Sequence, residues 1–217
     1  MMPVHRGWLF GAVLALTGVA HGAGDPEKGK LIVTAGDGSG APCIACHGLD
    51  GAGNDLAGFP RLAGMDTGYL VKQMRDYRSG ARKSAVMAPN VDNLNDGQMA
   101  DVAAYYAALD TVPVSPPSVS PEALALGETL ATRGDWDHDI VPCETCHGPG
   151  NVGVGSDFPK LAGQHPTYIK QQLKAWKTGA RNNDPNHLML AIAGRLTETQ
   201  IEAVAAWLAR QDPKGGK

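Results

Sequence analysis

The sequence lacks any run of lysine and arginine, and no basic stripe interleaved with aromatic residues appears in it. An electrostatic footprint for nucleic acid is therefore missing, and nucleic acid is excluded as a partner. The formal charge is only -3, and it is spread evenly: residues 24–110 carry 8 basic and 11 acidic side chains, residues 111–217 carry 10 and 11. Apolar runs long enough to cross a bilayer are also missing. The one extended run, Trp8 to Ala20, falls well short of the roughly 20 residues a spanning helix needs. No stretch shows the sustained alternation and turn spacing of a β-sheet protein. Cysteine is scarce, and the 4 that occur must all be accounted for.

The apolar run follows His5 and Arg6 and leads into Ala20-His21-Gly22-Ala23. Residues 1–22 thus read as a secretory signal peptide, with Ala20 and Gly22 at the two positions that must be small. The mature chain is expected to begin near Ala23 or Gly24, in an exported, periplasmic location where free cysteine pairs tend to oxidise.

What the chain does contain is a repeat. Cys43-Ile44-Ala45-Cys46-His47-Gly48 answers Cys143-Glu144-Thr145-Cys146-His147-Gly148, and Phe59-Pro60-Arg61-Leu62-Ala63-Gly64 answers Phe158-Pro159-Lys160-Leu161-Ala162-Gly163. Tyr69-Leu70-Val71-Lys72-Gln73 then matches Tyr168-Ile169-Lys170-Gln171-Gln172, and Gly80-Ala81-Arg82 matches Gly179-Ala180-Arg181. A Pro-rich stretch, Thr111 to Pro121, lies between the copies and has the composition of a semi-rigid spacer. The expected organisation is a first domain over 24–110, a linker over 111–121 and a second domain over 122–212.

Apolar residues recur three and four apart in both copies, so the fold class is all-α. A middle helix is expected through Leu70, Met74 and Tyr77, and again through Ile169, Leu173 and Trp176, each stopped near Gly80 or Gly179. A closing helix carries Met99, Val102, Ala103 and Tyr106 in the first copy. In the second it carries Ile201, Val204, Ala205 and Leu208 behind a Thr197/Gln200 capping box.

Cys-x-x-Cys-His places two thiols where they can bond both vinyl groups of one haem, with the adjoining histidine set to ligate the iron. Cys43, Cys46 and His47 make one such site; Cys143, Cys146 and His147 make the other. Two covalently bound haem c groups follow. A zinc site built from the four cysteines would leave both histidines unexplained, and a thioredoxin-type redox pair expects a βαβ setting.

The second axial ligand separates a low-spin carrier from an open-site catalyst. Met189 is the only methionine after the linker, and it lies between the middle and closing helices. Its counterpart in the first copy is Met87. Met74 and Met99 fall at core spacing, Met65 precedes the middle helix, His187 is a competing candidate in the second copy, and His138 and His165 read as surface or turn residues. His/Met ligation fills both axial positions, which makes outer-sphere electron transfer the default role rather than enzymatic chemistry at the metal.

The paired Cys-x-x-Cys-His-Gly motifs, the Phe-Pro-x-Leu-Ala-Gly segments, Arg181-Asn182-Asn183-Asp184-Pro185 and the methionines resemble the dihaem cytochrome c4 family over most of residues 24–212. The resemblance implies two tandem class I cytochrome c domains in a periplasmic one-electron carrier. Such a carrier serves redox protein partners, running from a quinol-oxidising complex to a terminal oxidase or other acceptor, and is compatible with peripheral membrane association. It also implies that the Pro60 and Pro159 carbonyls orient the iron-ligating histidines. The chain departs from the family in longer loops before each haem motif and in the segment before Met87, which is three residues shorter than its counterpart. Two other readings stay open: an electron-accepting subunit of a periplasmic dehydrogenase, and a dihaem enzyme such as a peroxidase or thiosulfate-oxidising cytochrome.

Overall fold

The computed structural model describes residues 24–111 and 118–215. The signal-peptide reading and much of the Pro-rich linker lie outside the described residues. Ten α-helices follow one another among the described residues: α1 (Pro26–Ala35), α2 (Ile44–His47), α3 (Thr67–Ser79), α4 (Met87–Val91) and α5 (Asp96–Ala108), then α6 (Pro121–Thr132), α7 (Glu144–His147), α8 (Pro166–Lys177), α9 (Leu188–Arg195) and α10 (Glu198–Leu208). No strand occurs among the described residues. Strand-like pairing among the described residues is limited to isolated bridges, of which Asn54–Phe59 and Val154–Phe158 are equivalent in the two halves.

Each half opens and closes with a helix pair that crosses at close range, α1 on α5 and α6 on α10. The crossings need glycine. A Cβ on Gly29 would lie 2.0 Å from the Asp101 carbonyl oxygen, and one on Gly127 would lie 2.3 Å from that of Ala203. The opening helices start alike, with Asp25 or Ser120 as N-cap and proline in the first turn; proline there costs nothing because its missing N–H has no partner in the helix anyway. Pro121, the last residue of the Pro-rich stretch, is the first residue of α6.

The middle and closing helices take the expected positions. Gly80 terminates α3 in the left-handed region at φ 79°, and Gly179, at φ 71°, sits two residues beyond the end of α8, after the cap residue Thr178. The Thr197/Gln200 capping box at α10 is present, and Asn95 with Gln98 builds the same device on α5. The inward faces make two separate cores. Val33, Met74, Leu94, Met99, Val102 and Tyr106 fill the first, and Leu130, Ile140, Leu196, Ile201, Val204 and Leu208 fill the second. Burying a side chain of this size contributes about 1.5–3 kcal/mol, so each half carries a core of its own.

The halves meet through the loops that follow each haem motif. The Arg61 N–H donates to Gln164 Oε1 and Gln164 Nε2 donates back to the Arg61 carbonyl, both at 2.9 Å. Lys160 Nζ reaches the Gly64 carbonyl at 2.9 Å. His165 pairs through Nε2 with the Ala52 carbonyl at 2.8 Å and is buried, which corrects its reading as a surface or turn residue. The burial is supplied by the other domain and leaves no trace in the local sequence. His138 does lie in an exposed turn, paired with Asp135.

Candidate functional site

Each Cys-x-x-Cys-His segment coils into a single helical turn, α2 or α7. The His47 and His147 N–H groups donate to the Cys43 and Cys143 carbonyls at 2.9 Å. Residues three and four apart share a helix face, so each turn presents its two sulfurs and its imidazole together. The following glycines reverse the chain at φ 74° and 77°, and a Cβ on Gly48 would lie 2.6 Å from Asp50 Oδ1.

None of the four cysteines is in a disulfide and all are half-buried, with Cys43 packed on the first core and Cys143 on the second. Burial pushes both of these thiols up, Cys143 to about 11. Among the described residues no three of His, Cys, Asp and Glu converge on a metal-ion position.

The imidazoles are buried and fixed from behind. His47 Nδ1 lies 3.1 Å from the Pro60 carbonyl and His147 Nδ1 lies 2.7 Å from that of Pro159. A carbonyl only accepts, so each Nδ1 carries the proton and each Nε2 presents its lone pair. Burial pulls both imidazoles below the usual histidine range despite those hydrogen bonds, which keeps them neutral. His47 Nε2 is buried and has no hydrogen-bond partner. A buried nitrogen left without a partner is costly, and a neutral imidazole braced by a backbone carbonyl is the usual form of a metal-ligating histidine.

Around the second motif lies a cavity of about 390 Å³, walled by Cys143, Cys146, His147, Ile140, Ile169 and Leu196. Its size and apolar lining are those of a cofactor site. Met189, second residue of α9, opens onto this cavity, with its N–H held by Asp184 Oδ2 at 2.6 Å. Met87 starts α4, is held through its N–H by Ser84 Oγ at 3.0 Å, and packs half-buried on the first core. Met74 and Met99 are buried in that core, in keeping with their spacing. Met65, also buried, reaches the domain-1 side of the cavity, together with Leu62 and Leu70. His187 is exposed in a left-handed turn beside α9.

The three extra residues ahead of Met189 are visible as a tight turn, Pro185–His187, with Asn186 and His187 both at positive φ. Sequence reasoning missed one group altogether. Gln73, Arg82 and Arg181 are buried between the domains, and the half-buried Gln172 joins them through hydrogen bonds. Their only sequence signal is that both pairs recur in register in the repeat.

Comparison with known proteins agrees with this geometry. The family model described as cytochrome c matches residues 27–110, and that described as cytochrome c oxidase, cbb3-type, subunit III matches residues 133–208. The chain is 49% identical over 171 residues to a thiosulfate dehydrogenase electron acceptor from Thiomonas intermedia, covering 79% of each. It is 38% identical over 197 residues to cytochrome c4 from Pseudomonas aeruginosa, covering 90% of this chain and 92% of that one. Among solved structures, a thiosulfate dehydrogenase from Marichromatium purpuratum matches at a TM-score of 0.80 and 40% identity. That match takes in 87% of this chain, which spans only 40% of the longer neighbour. With two Cys-x-x-Cys-His turns in two cytochrome c domains, and so two covalent haem c groups, the chain belongs to the cytochrome c4 family of dihaem electron-transfer proteins.

Proposed function

We propose that this chain accepts electrons from a thiosulfate-oxidising dehydrogenase in the periplasm and passes them singly to an oxidase or another acceptor. The observation that carries this reading is the 49% identity, over 79% of the chain, to a protein named as the electron acceptor of such an enzyme, against 38% to a cytochrome c4 over 90% of the chain. Haem c supplies an iron that cycles between ferric and ferrous states, one electron at a time. The chain supplies the rest. Cys43, Cys46, Cys143 and Cys146 hold the two groups covalently. His47 and His147 offer neutral Nε2 lone pairs as proximal ligands, and the carbonyls of Pro60 and Pro159 fix the ring planes.

Met87 and Met189 are the distal ligands in this reading. A thioether favours ferrous iron relative to a second imidazole and so raises the reduction potential. Ligation by Met87 and Met189 as well as the histidines would leave neither iron open to thiosulfate or peroxide, which favours a carrier over an enzyme. Export by the N-terminal signal places the carrier outside the cytoplasmic membrane; no helix among the described residues is long and apolar enough to cross one.

The test is a stopped-flow mixing of oxidised holoprotein with a thiosulfate dehydrogenase and thiosulfate. Reduction of both haems, at a rate proportional to dehydrogenase concentration, is expected. The reading fails if the haems stay oxidised, or if the chain alone turns thiosulfate over with an artificial acceptor. Ready reduction by a quinol-oxidising complex without the dehydrogenase would instead favour the general cytochrome c4 carrier role, which the 38% identity also supports.

A further inference from the structure

Between α3 and α8, and the loops that follow them, four side chains close a ring. Arg82, 5% exposed, donates from Nη1 to Gln73 Oε1 of its own domain at 2.8 Å and from Nη2 to Gln172 Oε1 of the other at 2.7 Å. Arg181, 9% exposed, donates from Nη1 to its own Gln172 Oε1 at 2.9 Å and from Nη2 across to Gln73 Oε1 at 3.1 Å. Each amide oxygen thus accepts from both guanidinium groups. One arginine and one glutamine come from each domain, at equivalent positions of the repeat.

The ring gathers two like charges at a largely buried interface, a costly arrangement unless an anion offsets it, as the carboxylates of a bound haem would. Its acceptors within the protein are neutral amides and two tyrosine hydroxyls, that of Tyr168 2.9 Å from Arg82 Nη2 and that of Tyr69 3.5 Å from Arg181 Nη2. Asp76 lies at the same interface, but its Oδ2 is occupied by Lys72 and by Asn183 Nδ2. Aromatic faces give partial compensation, with Arg82 4.7 Å from the Tyr77 ring centre and Arg181 4.4 Å from that of Trp176. Burial pushes the Tyr168 phenol up while the two guanidiniums pull it down, and they prevail. Gln73, Gln172 and Arg181 also line the cavity that contains His147 and Met189, so the ring borders a haem pocket directly.

We propose that the Arg82–Gln73–Arg181–Gln172 ring positions and tunes the two haems: it locks the domains in one orientation, and its two buried charges raise both reduction potentials. A ferric haem carries one more positive charge than a ferrous one, so a fixed cation nearby disfavours oxidation, and burial protects that effect from salt screening. Locking follows from the fork of the guanidinium, which spans two amide oxygens at once; a lysine ammonium is a single point and cannot. The inference needs the two haems but not the thiosulfate reading.

The experiment compares three holoproteins, wild type, Arg82→Gln/Arg181→Gln and Arg82→Lys/Arg181→Lys, by spectroelectrochemical titration and small-angle scattering. Expected is a fall in both midpoint potentials for the glutamine variant only, and a larger radius of gyration for both variants. Arg181→Gln alone repeats the comparison if the double variant yields no holoprotein, with the larger fall at the second haem. Tuning is refuted if the glutamine variants leave both potentials unchanged, or if the lysine variant falls as far as they do. Locking is refuted if both double variants keep the wild-type radius.

Discussion

The turn after each haem motif is built twice with different atoms. In domain 1 it passes through Gly51 at φ 64°, whose carbonyl accepts from Leu62 and Ala63; in domain 2 it passes through Asn151 at φ 58°, whose carbonyl accepts from Leu161 and Ala162. The backbone is the same and the filling is not. A Cβ on Gly51 would lie 2.8 Å from Tyr106 Cδ1, whereas the place of Tyr106 in domain 2 is held by the smaller Leu208; the carbonyls of Tyr106 and Leu208 accept from the equivalent Gly64 and Gly163. Asn151 is fully buried, at 0% exposure. Domain 1 thus puts the bulk on the closing helix and domain 2 puts it in the turn. The histidine side of the site conserves backbone geometry and trades volume, while the methionine side changes length, with α4 of 5 residues against α9 of 8.

The strongest way to break the equivalence is to remove one haem at a time. Cys43→Ser/Cys46→Ser and Cys143→Ser/Cys146→Ser should each yield one haem per chain, measured by haemochrome absorbance. Two haems in either variant would mean that the motif is not the attachment site. Next in size are the distal ligands: Met87→Ala and Met189→Ala should each lower the potential of one haem and leave the other nearly unchanged. Because the two methionine segments differ, the wild-type titration should resolve two transitions, and one superimposed transition would contradict that.

The volume trade predicts a smaller, conditional effect. Gly51→Asn should destabilise the holoprotein by about 1–3 kcal/mol in denaturant unfolding, the usual cost of overpacking a core. Adding Tyr106→Leu should recover part of the loss, and strict additivity of the two changes would deny the trade. Smallest and most symmetrical are the caps. Asn95→Ala and Thr197→Ala remove equivalent capping boxes and should each cost about 1 kcal/mol.

Much of this molecule is legible in its sequence because the repeat states each element twice. The middle and closing helices, the Thr197/Gln200 cap and both haem turns rest on local spacing. The opening helices α1 and α6 did not stand out. Each has a glycine in its middle, at Gly29 or Gly127, where the helix crosses its partner, and α1 also carries the β-branched run Ile32-Val33-Thr34, which weakens a helical pattern. The interface was illegible for a different reason. Gln73, Arg82 and Arg181 are polar residues of the kind that normally face water, and they are buried where the two domains meet, with Gln172 half-buried beside them. His165 was misread on the same ground.

The central claim is that both domains hold low-spin haem ligated by histidine and methionine, and the oxidised absorption spectrum tests it most directly. The weak near-infrared band of iron–methionine bonding should be counted against total haem. Two haems per chain and a band of matching strength are expected. One high-spin haem, or a band worth a single haem or none, would contradict it.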